Sequence, residues 1–565
     1  MTTRRDFLQV SLAAGAVLGS AGLLGSLPRA LAQQRLSQDD LLRFDSTGRL
    51  TLLHVTDIHG QLNPVFFRQP DTNIGVGAFA GIPPHLVGRE LLAHFGIEPG
   101  SPEAYAFSFE DYDALARAYG RLGGLDRVAT LVNAIRAERG DDNVILLDGG
   151  DTWQGSYTSL KTNGQDMVDC MKLLRPDAMV GHWEFTFGEA RVKEIIEDLG
   201  YPFLASNVFD NEWDERVFES TTFLERAGTK VAVIGQAMPY TPIANPRWMF
   251  PKWSFGIRAD EVQKNVAAAR DEGAEVVVLL SHNGFDVDRK LASQVKGIDV
   301  ILTGHTHDAT PRGVMQDGTL ILASGCHGQF LGRVDLEVSA GKVTAVQSRV
   351  IPVFADVIAP DPDMAAKIAE VREPHVAECT RVIGTTEQTL YRRGNFNGTW
   401  DDLICQGIIE ERDTEIALSP GFRWGTTLLS GAEITIDDLY AQTSMSYPAV
   451  YRLEFTGAQL KEILEDVCDN LFNKDPFFQQ GGDMVRVGGM SYACAPNNDM
   501  GARISEMRLT ATDEPIEAGK TYVVGGWASV NEGTQGPAVY DLMQTHIGRL
   551  GTVRLPEKQA VKIVI

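Results

Sequence analysis

The chain has 565 residues, a formal net charge of −24 at pH 7 and a hydrophobic fraction of 44%. This length is enough for two or more domains, and the composition is typical of folded globular proteins rather than disordered ones. The negative charge argues against nucleic acid as a partner, because phosphate backbones are bound by basic surfaces. An anionic substrate would need a local positive site, such as metal ions or a few arginines.

The first 32 residues have the pattern of an export signal. Arg4 and Arg5 form a twin-arginine pair, residues 10–27 are apolar, and the small-residue sequence "ALA" ends at residue 32. The apolar run ends at a cleavage pattern, which favours a removable signal over a membrane anchor. We therefore predict a twin-arginine signal peptide at 1–32, a periplasmic location, and no membrane attachment after cleavage.

Residues 45–350 alternate buried strands with helices. The segments "RLTLLHVTD", "NVILLDGGD", "KVAVIGQA", "EVVVLLSHNG" and "DVILTGHTH" are apolar runs that end in polar loops. Such runs are typical of strands covered on both faces, and the segments "GGLDRVATLVNAIRAERG" and "RADEVQKNVAAARDEG" are predicted helices between them. The pattern predicts an α/β domain of layered sheets and helices.

The sequence predicts three further units, one of them an insertion within the first domain. Residues 63–120 interrupt the strand–helix alternation, and we expect this insertion to shape access to the site. Residues 351–380 are a predicted connecting helix. Residues 381–565 alternate strands and helices without acids or histidines at the strand ends, and we interpret them as a smaller α+β domain that binds the substrate.

Seven metal-ligating side chains follow the predicted strands of the first domain. They are Asp57, His59, Asp151, His182, His282, His305 and His307. In open α/β sheets the ligand crevice lies outside the carboxyl ends of the strands. A single histidine at such a position is more often structural, but seven aspartates and histidines at successive strand ends predict a two-metal site. A bridging carboxylate and neutral imidazoles suit a pair of cations that activates water for hydrolysis.

The order of these motifs resembles the calcineurin-like metallophosphoesterases, and more closely the 5′-nucleotidase family. The resemblance covers nearly the whole chain after the signal. It implies an N-terminal α/β/β/α metallophosphoesterase-like domain and a C-terminal domain with substrate-binding residues. It also implies one metal held by Asp57, His59, Asp151 and His307, and a second held by Asp151, His182, His282 and His305.

One motif departs from the family pattern. The family box Gly-Asn-His-Glu is here "GHWE", so His182 replaces the asparagine ligand and Trp183 replaces the catalytic histidine. Thr186 stands where the family has the aspartate that supports that histidine. An indole has no titratable proton, so the acid that assists phosphoester cleavage is missing.

This departure, the 63–120 insertion, the segment "QQGGDMVRVGG" and the twin-arginine signal resemble the SoxB thiosulfohydrolase branch of the family. The resemblance implies two Mn²⁺ ions, with Zn²⁺ as an alternative, and a cysteine-bound substrate on the flexible arm of the SoxYZ carrier. It implies hydrolytic release of sulfate during thiosulfate oxidation. The alternatives are a periplasmic 5′-nucleotidase or 2′,3′-cyclic-nucleotide phosphodiesterase, or a binding protein without activity.

The substrate side is predicted from the glycine-rich segments of the second domain. We assign Arg486, Trp183 and Asp483 to the catalytic groups, and Arg423 and Arg486 to substrate binding. A guanidinium matches the planar geometry of an oxyanion contact. The alternative for Arg486 is a surface salt bridge with Asp483. We expect Arg392 and Arg393 to be solvated and Asp148 to support a ligand histidine.

Overall fold

The computed structural model describes residues 36–556 and 560–564. The predicted signal peptide and its cleavage point lie outside the described residues. Within the described part of the chain, no helix is both long enough and apolar enough to cross a bilayer.

Two sheets stack face to face in the N-terminal half. The first has five strands in the spatial order Lys342–Pro352, Phe330–Ser339, Leu50–Val55, Val144–Asp148, Ala178–Met179. The second has six in the order Val314–Gln316, Thr319–Ala323, Val300–Thr303, Val276–Ser281, Thr229–Gln236, Thr221–Arg226. The five predicted strands are all present, and those that neighbour one another within each sheet run parallel.

The alternation of side chains along the strand Val276–Ser281 shows the layering. Val276, Val278 and Leu280 belong to the core shared by the two sheets. Val277 and Leu279 face the other way and pack with residues of the helices Ala259–Asp271 and Phe285–Gln294. Because both faces of the strand are covered, its sequence is continuously apolar. The predicted α/β/β/α layering is confirmed.

Helices cover the outer faces of the sheets and connect the strands. The predicted helices are found at Leu125–Arg139 and Ala259–Asp271. The other α-helices are Gln38–Leu42, Gly88–Phe95, Pro102–Phe107, Tyr112–Tyr119, Tyr157–Thr162, Gln165–Leu174, Gly188–Leu199, Thr241–Ala244, Phe285–Gln294, Pro362–Arg372, Val376–Cys379, Thr399–Arg412, Ile436–Thr443, Gly457–Phe472 and Val539–Leu550.

The C-terminal third contains three smaller sheets with their own apolar cores. A four-stranded sheet has the order Tyr451–Thr456, Thr521–Gly526, Ile416–Ser419, Arg486–Gly488. Two three-stranded sheets have the orders Glu433–Thr435, Val382–Thr386, Thr552–Val553 and Ile504–Leu509, Met490–Cys494, Val561–Ile563. Two short ribbons pair Pro64–Val65 with Leu122–Gly123, and Phe209–Asp210 with Trp253–Ser254.

The insertion 63–120 connects the two halves of the chain. Phe66 forms a β-bridge with Thr427, and the backbone N–H of Ile74 donates to Oδ1 of Asn395 at 2.6 Å. Three helices give the insertion its own structure, so it is not a structureless loop. The predicted connecting helix is interrupted: it ends at Arg372, and a 3₁₀ turn over Glu373–His375 contains Pro374, which has no N–H to continue the helix.

Candidate metal centre

The seven predicted ligands follow strands whose carboxyl ends meet at one edge of the paired sheets. All seven are buried. Five of them, Asp57, His59, Asp151, His305 and His307, have positive φ angles between 51° and 75°. Non-glycine residues rarely adopt this conformation, and clusters of it are found at functional sites. Here the turns after the strands direct several side chains toward one point.

The structure brings the seven side chains together in two groups that share one carboxylate. Asp57, His59, Asp151 and His307 each offer a ligand atom within 4.8 Å of the others. Asp151, His182, His282 and His305 form the second such group. Asp151 belongs to both groups, which is the arrangement of a carboxylate that bridges two cations. The residues present therefore define a dinuclear centre.

The hydrogen bonds of the imidazoles orient their ligand atoms toward the centre. Nδ1 of His282 donates to the carbonyl oxygen of Gly149, which turns Nε2 toward the centre, where it lies 3.1 Å from Oδ2 of Asp151. Nδ1 of His59 lies 3.1 Å from the carbonyl oxygen of Gln154, so its Nε2 lone pair faces Nε2 of His307 at 3.0 Å. Converging nitrogen and carboxylate acceptors are the donor set of a divalent cation.

Two further histidines of the centre are held in the neutral form. Burial lowers the pKa of His305 and of His307 well below the ordinary value. A neutral imidazole is the form that ligates a metal. Nε2 of His305 also lies 3.0 Å from the carbonyl oxygen of Gln480, which orients the ring so that Nδ1 faces the centre.

Glu184 organises the loops that carry the ligands. Its carboxylate accepts from the backbone N–H groups of His182 at 2.8 Å, Thr152 at 2.7 Å and Asp151 at 3.2 Å. Burial raises the pKa of Glu184, and its backbone N–H donors oppose that change. Sequence reasoning assigned no role to this residue, although its position in the "GHWE" motif was a signal. Gln154, which fixes His59, had no such signal.

Trp183 closes one side of the centre. Its backbone N–H donates to Oδ1 of Asp151 at 2.7 Å, and its ring lies 4.8 Å from His182 and 5.4 Å from Phe422. Thr186 is hydrogen-bonded to the hydroxyl of Ser446 at 2.6 Å. Trp183 lies beside the metal ligands but brings no ionisable group to them.

A cavity of about 190 Å³ opens onto the centre and is lined by one of the two predicted substrate-binding residues, Arg423. Arg423 and Asp483 line it together with Trp183 and the ligands Asp151, His182, His305 and His307. Gly481 has a φ of +81°, and a Cβ there would lie 2.1 Å from Nε2 of His305. A larger residue at 481 would therefore strike a metal ligand. None of the residues that line this cavity comes from the insertion 63–120.

The structure does not place Arg486 at the cavity, where a contact with the substrate was predicted. Arg486 lies behind Asp483, to which its Nη2 donates at 3.2 Å, and the same atom donates to the carbonyl oxygens of Arg392 and Gly394. It does not line the cavity. The salt bridge that was its alternative exists, but it is buried. Arg486 supports Asp483 rather than touching a ligand.

The expected solvation of Arg392 and Arg393 is wrong, since both are 1% exposed. Arg392 forms a two-pronged ion pair with Asp401, and Arg393 lies 3.3 Å from Asp483. Three guanidiniums, those of Arg393, Arg423 and Arg486, thus surround Asp483. Burial raises the pKa of this carboxyl, but the three cations outweigh it and hold the pKa below the ordinary value.

Asp148 has a different role from the one predicted. Its carboxylate accepts from the hydroxyl of Thr152 at 2.7 Å and from the N–H of Gly150 at 3.0 Å, so it shapes the turn before Asp151 and supports no histidine. Asp148 bonds to these groups because it lies within the same turn as they do.

Comparisons with known proteins agree with this architecture. Residues 382–542 match the family model described as the 5′-nucleotidase C-terminal domain. The snake venom 5′-nucleotidase of Naja atra is 31% identical over 456 residues, which are 71% of this chain and 83% of the relative. The 5′-nucleotidase of Bos taurus is 24% identical over 468 residues, 74% of this chain and 78% of the relative.

The chain belongs to the 5′-nucleotidase family, and its site has the residues of a dinuclear-metal hydrolase. Within this family it is similar to the sulfate thiohydrolase SoxB of Thermus thermophilus, with a TM-score of 0.89, 34% identity, and coverage of 92% of this chain and 98% of that one. A 5′-nucleotidase precursor, also from Thermus thermophilus, shares the fold, with a TM-score of 0.72, 20% identity, and coverage of 91% and 99%.

Proposed function

We propose that this chain hydrolyses a cysteine S-thiosulfonate carried by a SoxYZ-type carrier protein and releases sulfate during thiosulfate oxidation. The observation that carries the proposal is Trp183 beside a complete set of seven metal ligands. A site that keeps its metals but lacks an acid suits a substrate whose leaving group needs no proton. The similarity to SoxB supports the same conclusion.

The balanced reaction explains why the acid is dispensable. Water adds to the sulfonate sulfur, and the bond from this sulfur to the middle sulfur breaks, so that the cysteine keeps the middle sulfur. The products are sulfate, the cysteine persulfide in its neutral form and one proton. A persulfide anion is a far better leaving group than the alkoxide of a nucleotide. When bound, two divalent cations supply Lewis acidity toward water and the sulfonate oxygens.

Residues of the C-terminal third provide the positive charge that an anionic substrate needs. Arg423 lines the cavity, and its Nε and Nη1 are oriented by Asp483 at 3.3 Å and by the carbonyl oxygen of Thr306 at 3.0 Å. Asp483 is shared with Arg393 and Arg486, so it neutralises Arg423 only in part. This charge offsets the repulsion expected from a protein of net charge −24.

The cavity walls suit a thin peptide arm. Gly421, Gly481 and Gly482 line the cavity beside the aromatic rings of Trp183, Phe422 and Trp424. A Cβ at Gly421 would lie 2.0 Å from the carbonyl oxygen of Asp483, so the two backbones are in direct contact there. Backbone walls leave room for another backbone to pass, and this supports a cysteine carried on an extended segment.

Two parts of the proposal concern loading and location. We assign two Mn²⁺ ions to the centre, with Zn²⁺ as the alternative, because nitrogen and oxygen ligands accept both. We assign the protein to the periplasm after twin-arginine export, on the basis of Arg4 and Arg5. Metal analysis of the protein purified from a periplasmic fraction tests both assignments, and a cytoplasmic protein with an intact N-terminus would contradict the second.

The deciding experiment compares two substrates on the purified metal-loaded protein. Sulfate release from the carrier-bound S-thiosulfonate is expected, with little phosphate release from AMP or 2′,3′-cyclic AMP. Hydrolysis of AMP without sulfate release would overturn the proposal. The protein would then be a 5′-nucleotidase or a cyclic-nucleotide phosphodiesterase, the alternatives that its family membership supports. His182→Ala should lose both metal and activity, whereas His94→Ala, at an exposed position, should keep both.

A further inference from the structure

A second, smaller cavity of about 40 Å³ lies beside the site cavity. The two cavities share His305, Arg423, Asn470 and Gly481 as lining residues, so they are separated by little more than these side chains. We call the smaller cavity the side chamber. It lies on the side of Arg423 that faces the insertion.

The insertion 63–120 forms one wall of the side chamber, and the start of the helix Phe285–Gln294 forms another. Nε2 of His85, from the insertion, lies 2.8 Å from Oδ2 of Asp286 in the first turn of that helix. Neither residue belongs to the metal centre. This pair joins the insertion to the N-terminal domain next to His305, and the proposed chemistry has not used it.

Three buried polar atoms of the side-chamber walls lack a partner among residues 36–556 and 560–564. They are Nδ1 of His85, Oδ1 of Asp286 and Oδ1 of Asn283. Asn283 is 1% exposed and Asp286 is 7% exposed. The two oxygens are acceptors, and Nδ1 of His85 needs a partner whether it accepts in the neutral ring or donates in the charged one.

Unpaired buried polar atoms are costly, and they are usually satisfied by internal water. A water molecule needs about 10–15 Å³ of such space and two to four polar partners. The side chamber therefore has room for about three waters, and its walls offer the partners. Asn73, Asp308 and Asn395 add further polar groups to the lining.

We propose that the side chamber holds ordered water on His85, Asp286 and Asn283, and that this water supplies the hydrolysis while the carrier arm fills the main cavity. The inference rests on the proposed function. Each turnover consumes one water, and an arm in the main cavity blocks the direct route from solvent. Ile74, Leu471 and Gln479 of the side chamber are only partly buried, so the chamber can refill between the insertion and the C-terminal third.

The test compares a carrier-borne substrate with a small one. In the double variant His85→Leu/Asp286→Leu, both partners of the hydrogen-bonded pair become apolar together. The kcat for the S-thiosulfonate on the carrier arm should fall about tenfold, because an ordered water is displaced without replacement. The kcat for the S-thiosulfonate of free cysteine should stay the same, since this substrate leaves the mouth of the main cavity open.

Control variants and the parent protein show whether a loss of activity comes from the water in the side chamber. His85→Asn keeps a polar group in the side chamber and should retain activity on both substrates, as should the exposed control His94→Leu. If the double variant loses both activities equally, or neither, the inference is wrong. If the parent protein cleaves neither substrate, the proposed function fails, and the inference with it.

A crystal structure of the parent protein provides a test that does not depend on the variants folding. Ordered waters within hydrogen-bond distance of Nδ1 of His85, Oδ1 of Asp286 and Oδ1 of Asn283 are expected. A side chamber without ordered water would overturn the inference.

Discussion

Trp183 is the single residue that most separates this site from phosphoester chemistry. A histidine at this position would place a titratable nitrogen beside the ligand His182, from which the Trp183 ring is 4.8 Å away. General acid catalysis contributes roughly 10²–10⁴-fold in rate. We predict that Trp183→His raises phosphate release from AMP at least about tenfold over the parent. Trp183→Phe is the control and should not. Unchanged AMP hydrolysis in a metal-loaded Trp183→His protein would contradict the prediction.

Arg423 is the residue that brings positive charge to the wall of the cavity. Arg423→Ala removes a charge-assisted contact, and such contacts contribute about 1.5–3 kcal/mol, so the KM for the S-thiosulfonate should rise roughly 10- to 100-fold. The metal content should not change, because Arg423 ligates nothing in either group. Steady-state kinetics with metal analysis checks this. A variant with an unchanged KM would show that Arg423 does not touch the substrate.

At the scale of elements, Glu184 connects two loops through their backbone. It bonds the N–H groups of Asp151 and Thr152 after one strand and of His182 after another. Glu184→Gln replaces one carboxylate oxygen by an amide NH₂ group. This donor then faces a backbone N–H, so one hydrogen bond is lost. Outer partners of metal ligands typically contribute 10–100-fold in affinity, so we predict metal binding weaker by about that factor. Titration of the metal-free protein checks the prediction, and unchanged affinity would refute it.

A buried acid in the helix Gln165–Leu174 makes stability depend on pH. Burial raises the pKa of Asp166 to about 7 from an ordinary 3.8, and the hydroxyl of Thr162 is its hydrogen-bond donor at 2.9 Å. The folded protein therefore keeps this proton up to about pH 7, whereas the unfolded chain releases it near pH 4. Stability from this group is full below pH 4 and is lost as pH rises through 7, by about 4 kcal/mol.

Asp166→Asn imitates the protonated acid and should remove this loss. We predict that the variant unfolds at a higher temperature than the parent at pH 8 and at a similar temperature at pH 4. Thermal unfolding at the two pH values measures the difference. Asp169→Asn, on the same helix but only partly buried, is the control. Equal stability of parent and Asp166→Asn at pH 8 would contradict the raised pKa.

The strands and the arginines of this protein show which features a sequence can predict and which it cannot. The strands were found because both of their faces are buried, which leaves a continuous apolar run such as that of Val276–Ser281. The ligands were found because the strand ends place them at one edge. The roles of Arg392, Arg393 and Arg486 depend on Asp401 and Asp483, and contacts such as Arg393–Asp483, 90 residues apart, leave no local pattern.

At the scale of the whole molecule, the metal centre joins strands from both sheets. The ligands follow the strands Leu50–Val55, Val144–Asp148 and Ala178–Met179 of one sheet, and Val276–Ser281 and Val300–Thr303 of the other. Cations bound by ligands from both sheets would hold the two sheets together at this edge. Metal ions should therefore stabilise the pairing of the sheets as well as supply the chemistry.

A chelator should lower the unfolding temperature, because a metal that binds only the folded state stabilises it by about 2.7 kcal/mol at a free concentration 100 times its Kd. For a protein of this size we predict a decrease of several degrees, reversed by adding Mn²⁺ or Zn²⁺. The effect should disappear in His282→Ala, which lacks a ligand, and persist in the exposed His94→Ala. A chelated protein that loses activity but keeps its unfolding temperature would contradict this prediction. The apolar core shared by the two sheets would then be sufficient to hold them together without the ions.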